Sequence, residues 1–373
     1  FGFKYILMKH LFKTFIFVLS LLFISGITSC SEDDTDNGAN NFDRTELLTS
    51  LADNIILPNF ENLQSQVNSL STAVSSFNSN PNEQNLLTMR EAWVGAVNAH
   101  QHCSAFGFGP ANLNLGPYAS VLGVFPVDEQ QVETNISDAA FNLAGSFDRD
   151  IRGFYAVEYL IYGNGQTDAE LIASFDQARI DYLLLITNEL KDTFDGIVSN
   201  WNSGYYNQFI SDNSTSAGSS ISLLYNEWVK DYENLKNFKL ELPAGLSAGQ
   251  TNSDGQLVEA YYSGISRGLI VEHFASIKNM YLGIGKNGQD ITGFQDYLKS
   301  VVGGEELVAS TLLTIDEIDK AIEALPQGEL SQNIDAEEII TLRNLLQANT
   351  ANFKSSMSSL LGISITFNSG DGD

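Results

Sequence analysis

Cysteine is nearly absent from this chain of 373 residues, which contains only Cys30 and Cys103. Disulfide scaffolds and thiolate zinc sites need several cysteines at characteristic spacings. If Cys30 is lipidated, as expected below, Cys103 is the single remaining thiol. The sequence therefore excludes a disulfide framework and a cysteine-based zinc cluster.

Two common hydrolase motifs are also missing. His273 follows Glu272, but no second histidine stands at the four-residue spacing of the HExxH zinc peptidases. A G-x-S-x-G nucleophile elbow is absent as well. The stretch 283–288 matches G-x-G-x-x-G, yet it follows a predicted helix rather than a strand, so we interpret it as a loop.

Basic residues are scarce, with 19 Lys and Arg against 46 Asp and Glu. Removing residues 1–29 takes away three lysines and no acidic residue, which leaves 16 basic and 46 acidic residues and a net charge of −30. Such a chain is repelled by phosphate backbones, so nucleic acid is not an expected partner. The acidity is compatible with cation binding but mainly indicates solubility and electrostatic steering.

Long apolar runs are confined to the N-terminus. Lys9 and Lys13 flank a candidate start at Met8, and an apolar run follows from Phe15 to Ile27. This run is too short to span a bilayer and is typical of a secretory signal. The segment 27–30, Ile-Thr-Ser-Cys, fits a bacterial lipobox, so we expect cleavage before Cys30 and lipidation of its thiol. Residues 1–7 are expected to be an upstream-start artefact.

The segment after Cys30 is a polar tether. Residues 31–41 are acidic and rich in Asn and Gly, a composition that favours disorder. The segment 31–34, Ser-Glu-Asp-Asp, resembles an export signal that carries some lipoproteins to the bacterial surface; a plain solvated tether remains the alternative. We therefore expect a lipid-anchored protein of the outer membrane, facing either the periplasm or the outside.

The remainder of the chain has the apolar spacing of α-helices, and alternating strand patterns are not evident. The long helices and short links favour up-and-down bundles. We predict an N-terminal bundle over 42–205, a C-terminal bundle over 206–366 and a tail over 367–373. The predicted helices cover 43–77, 82–106, 128–139, 151–162, 168–201, 217–238, 264–283, 291–302, 304–325 and 335–361.

The predicted helix over 151–162 has an unusual polar face. Tyr155, Glu158, Tyr159 and Tyr162 recur at helical spacing, so one carboxylate lies among three phenols. A solvated face normally carries mixed charges, which indicates that this face borders a semi-buried pocket. A carboxylate in such a place needs a cation, a metal or donated hydrogen bonds.

The same segment resembles the G-x-H-x-x-E signature of the imelysin-like proteins, a bacterial family that includes iron-regulated envelope proteins and the peptidase imelysin. Gly153 and Glu158 match the motif, whereas Tyr155 replaces its histidine. Further segments resemble the family in the same order along the chain: Arg90-Glu91-Ala92-Trp93, Phe106–Pro110, Phe125–Asp128, Val258–Ser266 and Tyr281–Gly283.

The resemblance implies an all-α fold of two packed four-helix bundles in a pseudo-symmetric arrangement, with a pocket between them. It also implies that Glu158 and the residue three before it are metal ligands. Tyr155 could supply a phenolate oxygen to iron, as tyrosine does in some haem proteins. The alternative is that Tyr155 hydrogen-bonds Glu158 and that no metal binds there.

Other residues complete the candidate site. Glu259 is a third candidate metal ligand, contributed by the C-terminal half. Ser263 precedes a helical pattern, so it is alternatively an N-cap. Arg90 or Arg152 could pair with Glu158 instead of a metal. A core histidine such as His100 is more often satisfied by hydrogen bonds than metallated. The residues expected to line the pocket are Arg90, Trp93, Arg152, Tyr159, Tyr262, Ser263 and Ser266.

The leading functional expectation is capture of iron or an iron carrier at the bundle interface around Glu158, in iron uptake. Oxygen ligands suit hard cations such as iron or another divalent metal. An outer-membrane receptor is a further expected partner. The resemblance leaves two alternatives open: a metallopeptidase of the imelysin type, which the loss of the motif histidine disfavours, and a partner-binding lipoprotein without a metal.

Overall fold

The computed structural model describes residues 42–138, 143 and 147–367. The predicted signal peptide, the lipidation site Cys30, the acidic tether and all of the predicted tail except Phe367 lie outside the described residues. The described residues from Phe42 onward belong to one compact unit. The predicted division of the bundles at 205/206 stays a prediction.

The described residues are mainly helical and contain almost no strand, which confirms the all-α prediction. The helices before residue 212 are α1 Arg44–Leu51, α2 Leu57–Ser79, α3 Glu83–Gln101, α4 Ala119–Leu122, α5 Glu129–Ser137, α6 Gly153–Tyr162, α7 Asp168–Ser174, α8 Gln177–Asn200 and α9 Tyr206–Ser211. Those after it are α10 Ser220–Lys236, α11 Ser266–Leu282, α12 Phe294–Lys299, α13 Gly304–Ala324, α14 Glu337–Thr350 and α15 Ser358–Leu361. Two short strands, β1 Asn112–Leu113 and β2 Gly116–Pro117, pair antiparallel.

Four π-helical turns continue neighbouring α-helices. They cover Ala52–Ile56, Trp201–Tyr205, Asn237–Glu241 and Ala351–Met357. The first is followed by Leu57 and Pro58 at the start of α2. Proline has no backbone N–H to donate within a continuing helix, so regular α-helical hydrogen bonding is interrupted near this point. Turns of this kind often occur at functional sites. The turn Asn237–Glu241 contains Lys239, which belongs to the candidate site described below.

The helices α2, α3, α6 and α8 pack together in the N-terminal half. Their shared core contains fully buried side chains at helical spacing, such as Leu63, Val67 and Trp93. The signature helix α6 contacts both α3 and α8. Nine of its ten residues are buried, so α6 lies in the interior rather than on the surface.

In the C-terminal half, α10 packs against α11 and α14, and α13 packs against α11 and α14. The two halves meet where α11 contacts α3, and where α10 contacts the short 3-10 turn Ser104–Phe106. This contact places the C-terminal end of α3 beside α10 and α11, and the candidate site lies there.

Several predicted helix boundaries are wrong. The predicted helix over 82–106 ends at Gln101, and the one over 291–302 covers only Phe294–Lys299. The predicted helix over 168–201 is divided after Ser174, because the side chain of Asp176 accepts the backbone N–H of Arg179 and starts α8. The predicted helix over 264–283 begins at Ser266, and Ile265 occupies its N-cap position. Ser263 is therefore not an N-cap.

Among the described residues, none of the helices combines the length and the apolar character that crossing a bilayer requires.

Candidate functional site

Glu259 is the centre of a buried polar cluster at the junction of the two halves. Its Oε1 accepts hydrogen bonds from the Tyr155 hydroxyl on α6 and from Gln101 Nε2 at 3.1 Å. Its Oε2 lies 2.8 Å from Lys239 Nζ. The Lys239 ammonium also donates to Gln101 Oε1. These four residues are each at least nine-tenths buried, and we call them the Glu259 cluster.

Burial controls the charges within the Glu259 cluster. It raises the pKa of the Tyr155 phenol well above its ordinary value, and the negative charge of Glu259 raises it further. Burial lowers the pKa of the Lys239 ammonium, although the attraction of Glu259 opposes that effect. Tyr155 is therefore a neutral hydrogen-bond donor, and Glu259 and Lys239 form an ion pair.

Glu158 lies near this cluster but has a different partner. Its Oε1 accepts the backbone N–H of Ser263 at 2.8 Å, and its side chain is buried. Burial raises the pKa of Glu158 to about 7, against hydrogen bonds from Ser263 that lower it. The carboxyl group thus changes charge near neutral pH.

The turn that holds Ser263 has an unusual backbone. Ala260 has a φ of +54°, the left-handed region that non-glycine residues rarely adopt, and Gly264 has a φ of +71°. This conformation delays the start of α11 to Ser266, whose hydroxyl donates to the carbonyl of Glu259. Ser263 precedes the helix, so its backbone N–H has no helical hydrogen bond. That N–H donates to Glu158 instead.

The predicted partners of Glu158 are engaged elsewhere. Arg90 pairs with Asp168 at 2.8 Å, and Arg152 pairs with Glu189 at 2.8 Å. The Trp93 indole N–H donates to the Phe154 carbonyl at 2.7 Å and so fixes α6 against α3. Trp93, Arg90 and Arg152 therefore position the signature helix.

The tyrosines beside Glu158 bind two further carboxylates. The Tyr159 hydroxyl donates to Glu133 at 2.7 Å, and the Tyr262 hydroxyl donates to Glu129 at 3.0 Å. The two rings are 5.2 Å apart between centroids. Both phenols thus link α5 to the signature helix and to the turn before α11.

A cavity of about 400 Å³ borders the Glu259 cluster. Among the site residues that the sequence predicted, Glu259 lines it. Tyr155 contacts this lining residue from behind through its hydrogen bond, and Glu158 does not line the cavity. The polar or charged side chains along its surface are His100, Gln101, Ser104, Ser120, Lys230, Asp231, Glu233, Asn234, Asn237, Lys239, Glu259 and His273. Phe125, Phe238 and Phe367 add aromatic surface.

Sequence reasoning missed a second buried pair in this cavity. His273 Nε2 lies 2.7 Å from Asp231 Oδ2, and the Ser104 hydroxyl donates to the same oxygen at 2.9 Å. Burial lowers the pKa of His273, although Asp231 opposes the effect. The neutral ring donates from Nε2 to Asp231, and its buried Nδ1 has no hydrogen-bond partner among the described residues.

His100 forms the cavity wall beside this pair. Its ring stacks on Phe154 at 4.8 Å between centroids, and its Nδ1 lies 3.3 Å from the Tyr118 hydroxyl. Burial lowers the pKa of His100 to about 3, and the charge of Lys239 contributes to the lowering. A hydrogen-bonded, neutral core histidine agrees with the expectation for this position.

A signal for the missed residues exists in the sequence. His273 stands at the helical spacing of the apolar residues Leu269, Ile270 and Ile277 in α11. Asp231 and Lys239 interrupt the buried face that begins in α10. Charged or imidazole groups on an apolar stripe need buried partners, so such interruptions indicate a polar site.

The residues present do not fit a resident metal ion. The Glu259 carboxylate is paired with the Lys239 ammonium, which repels a metal cation. The Tyr155 phenol keeps its proton, so it offers no phenolate ligand. The described residues contain no group of three His, Cys, Asp or Glu side chains that could hold a metal ion. Metal ligation by Glu158, Tyr155 and Glu259 stays a prediction without support from the geometry.

The chain is similar to proteins of one family. Residues 56–357 match the profile of the imelysin family, peptidase family M75. A crystal structure of a proposed iron-regulated protein A precursor from Parabacteroides distasonis ATCC 8503 superposes with a TM-score of 0.72 at 19% identity, over 85% of this chain and 95% of that one. An imelysin-like protein from Psychrobacter arcticus 273-4 gives 0.68 at 18% identity, over 88% and 99%.

A search of curated proteins gives no match. The TM-scores show that the solved structures share the fold of this chain, and identities below 20% support no more than that. The profile match covers most of the chain. The protein therefore belongs to the imelysin family.

Proposed function

We propose that this protein captures a small organic iron carrier in the cavity beside the Glu259 cluster, and that bare iron is not its ligand. The observation that carries the proposal is the cavity itself. Its volume of about 400 Å³ lies in the range of sites for small organic molecules. Bare iron would need several free oxygen or nitrogen ligands, and the two central carboxylates already have partners.

The cavity wall offers unused hydrogen-bonding groups. The Lys239 ammonium has three donors, of which Glu259 and Gln101 accept two. The buried Oδ1 of Asn237 has no hydrogen-bond partner among the described residues. A carrier with hydroxyl and carbonyl oxygens would satisfy both groups, because such oxygens accept from an ammonium and a hydroxyl also donates to an amide.

The expected cell location supports a role in uptake. The lipobox at 27–30 predicts that the mature protein is tethered to the envelope through Cys30. One solved relative is described as iron-regulated. A tethered protein with a concave organic-ligand site suits the transfer of a carrier to an outer-membrane receptor.

Calorimetric titration tests the proposal. Protein that starts at Ser31 is titrated with ferric citrate, a ferric trihydroxamate and haem, and separately with ferrous sulfate under argon. We expect one carrier to bind with a stoichiometry of one, and no stoichiometric uptake of the bare ion. Lys239→Met should weaken carrier binding at least about tenfold, since it removes a charge-assisted hydrogen bond.

Two further variants separate binding from folding. Lys239→Met/Glu259→Gln removes both charges and keeps the shape of the pair, so it should fold normally and still bind weakly. Lys320→Met breaks an exposed pair with Asp316 and should bind like the wild type. Stoichiometric binding of the bare ion, or no binding of any of the three carriers, would contradict the proposal.

A further inference from the structure

A second concave surface lies between α2, α3 and α11. It is a polar cleft of about 280 Å³. The end of α3 and the residues directly after it divide between the two sites, because His100, Gln101 and Ser104 border the cavity and Asn98 and His102 border the cleft. The helices α3 and α11 thus form a wall between the two sites.

The cleft is built from three helix faces. Each helix contributes residues three, four or seven positions apart, so their side chains lie on one face. The contributing residues are Asn59, Asn62 and Gln66 from α2, Gly95 and Asn98 from α3 together with its C-cap His102, and Glu272, Ser276 and Asn279 from α11. Because long packed helices carry these side chains, the walls are fixed by the fold.

The carboxamides of the cleft have no hydrogen-bond partners among the residues that the structure describes. The side chains of Asn59, Asn62, Gln66, Asn98 and Asn279 make no hydrogen bond to any described residue. Asn59 is only 7% exposed. The Asn59 amide is not among the buried polar groups that lack a partner, so it reaches the space of the cleft, where a polar molecule can hydrogen-bond to it.

A loop closes one end of the cleft. Ile284 and Lys286 line it there, and the Lys286 backbone N–H donates to the Asn54 carbonyl at 2.8 Å. Gln289 Nε2 donates to Asn54 Oδ1 at 3.1 Å and fixes the loop further. This loop is the G-x-G-x-x-G match at 283–288, and its role here is to complete a wall.

We propose that the cleft binds a small polyhydroxylated ligand, a mono- or disaccharide. A carboxamide both donates and accepts hydrogen bonds, and a sugar hydroxyl does the same, so the two groups are complementary. The acidic side chain that lines the cleft, Glu272, lies 2.8 Å from His102, and Lys286 adds one cation. Acidic and basic groups thus occur together. The cleft therefore has no strong preference for an ionic ligand.

Saturation-transfer NMR tests this site with glucose, N-acetylglucosamine and maltose as probes. We expect saturation transfer to the ring protons of at least one sugar. Asn98→Leu and Gln66→Leu should each weaken that binding about tenfold, because each removes hydrogen bonds to the ligand. Neither residue bonds to the protein, so both variants should keep the melting temperature of the wild type.

The matched control is Asn207→Leu, an exposed helical asparagine outside the cleft. It should bind sugar like the wild type, and so should Lys239→Met/Glu259→Gln, which changes only the cavity. The proposal is overturned by absence of transfer from all three sugars, by equal binding in Asn98→Leu, or by binding of triglycine in their place. Loss of carrier binding in the cavity would leave this result unaffected.

Discussion

Replacing Glu158 by glutamine should stabilise the protein above neutral pH. Burial raises the pKa of Glu158 from about 4.5 to about 7 in the folded protein. The folded state thus binds this proton more tightly than the unfolded chain, so the free energy of unfolding falls as the pH rises between these values. A pKa shift of this size lowers the free energy of unfolding by about 3 kcal/mol at pH 8, relative to acidic pH.

Glutamine keeps the important contact. Its carbonyl oxygen accepts the Ser263 N–H as Glu158 does, but it carries no charge at any pH. We expect Glu158→Gln to raise the free energy of unfolding by about 2–3 kcal/mol at pH 8 and by less than about 1 kcal/mol at pH 4.5. The difference in the free energy of unfolding between the variant and the wild type should develop between pH 5 and pH 7.

Urea unfolding followed by circular dichroism at 222 nm measures this difference at pH 4.5, 6, 7 and 8. Glu317→Gln, an exposed position on α13, is the control and should show no pH-dependent difference. If Glu158→Gln is less stable than the wild type at pH 8, Glu158 is held as a carboxylate by a partner. An identical difference at pH 4.5 and pH 8 would refute the reasoning about burial.

Four other variants test the site and its support by the same unfolding measurement. Lys239→Met should lower the free energy of unfolding by about 3–5 kcal/mol, because it leaves Glu259 without its cation. Lys239→Met/Glu259→Gln should recover most of that free energy. Equal stability of these two variants would contradict the ion pair. Tyr155→Phe should cost about 1–2 kcal/mol, because Glu259 Oε1 then keeps one donor, and an unchanged midpoint would show that this hydrogen bond is weak. Gly153→Ala should cost more than about 3 kcal/mol, because a Cβ there would lie 2.0 Å from the Leu122 carbonyl oxygen at a φ of +75°, and wild-type stability would disprove this close approach.

Periodicity predicted the helical fold because nearly every helix has one buried apolar face. Local capping was harder to predict, since Asp176 divides one predicted helix by accepting a single backbone N–H. The turn before α11 was predicted incorrectly at Ser263, because its left-handed Ala260 has no clear signal in the sequence. Patterns that depend on one hydrogen bond or one dihedral angle are weaker than those repeated over a whole helix.

The candidate site was predictable in part. The tyrosine-rich face of α6 indicated a buried polar region around Glu158, and the resemblance added Glu259. Lys239 and Asp231 come from a segment more than seventy residues further along the chain, and no local pattern joins them to α6. Their importance depends on the packing of α10 against the turn Ser104–Phe106, which only the three-dimensional structure provides.

The most direct test of the central claim is a crystal structure of the protein with the ferric carrier that binds in calorimetry, with data collected at the iron absorption edge. We predict an anomalous peak inside the cavity, with carrier atoms between the iron and the Glu259 cluster and with Lys239 contacting a carrier oxygen. Iron bound directly to oxygens of Glu158, Tyr155 or Glu259 would contradict the account.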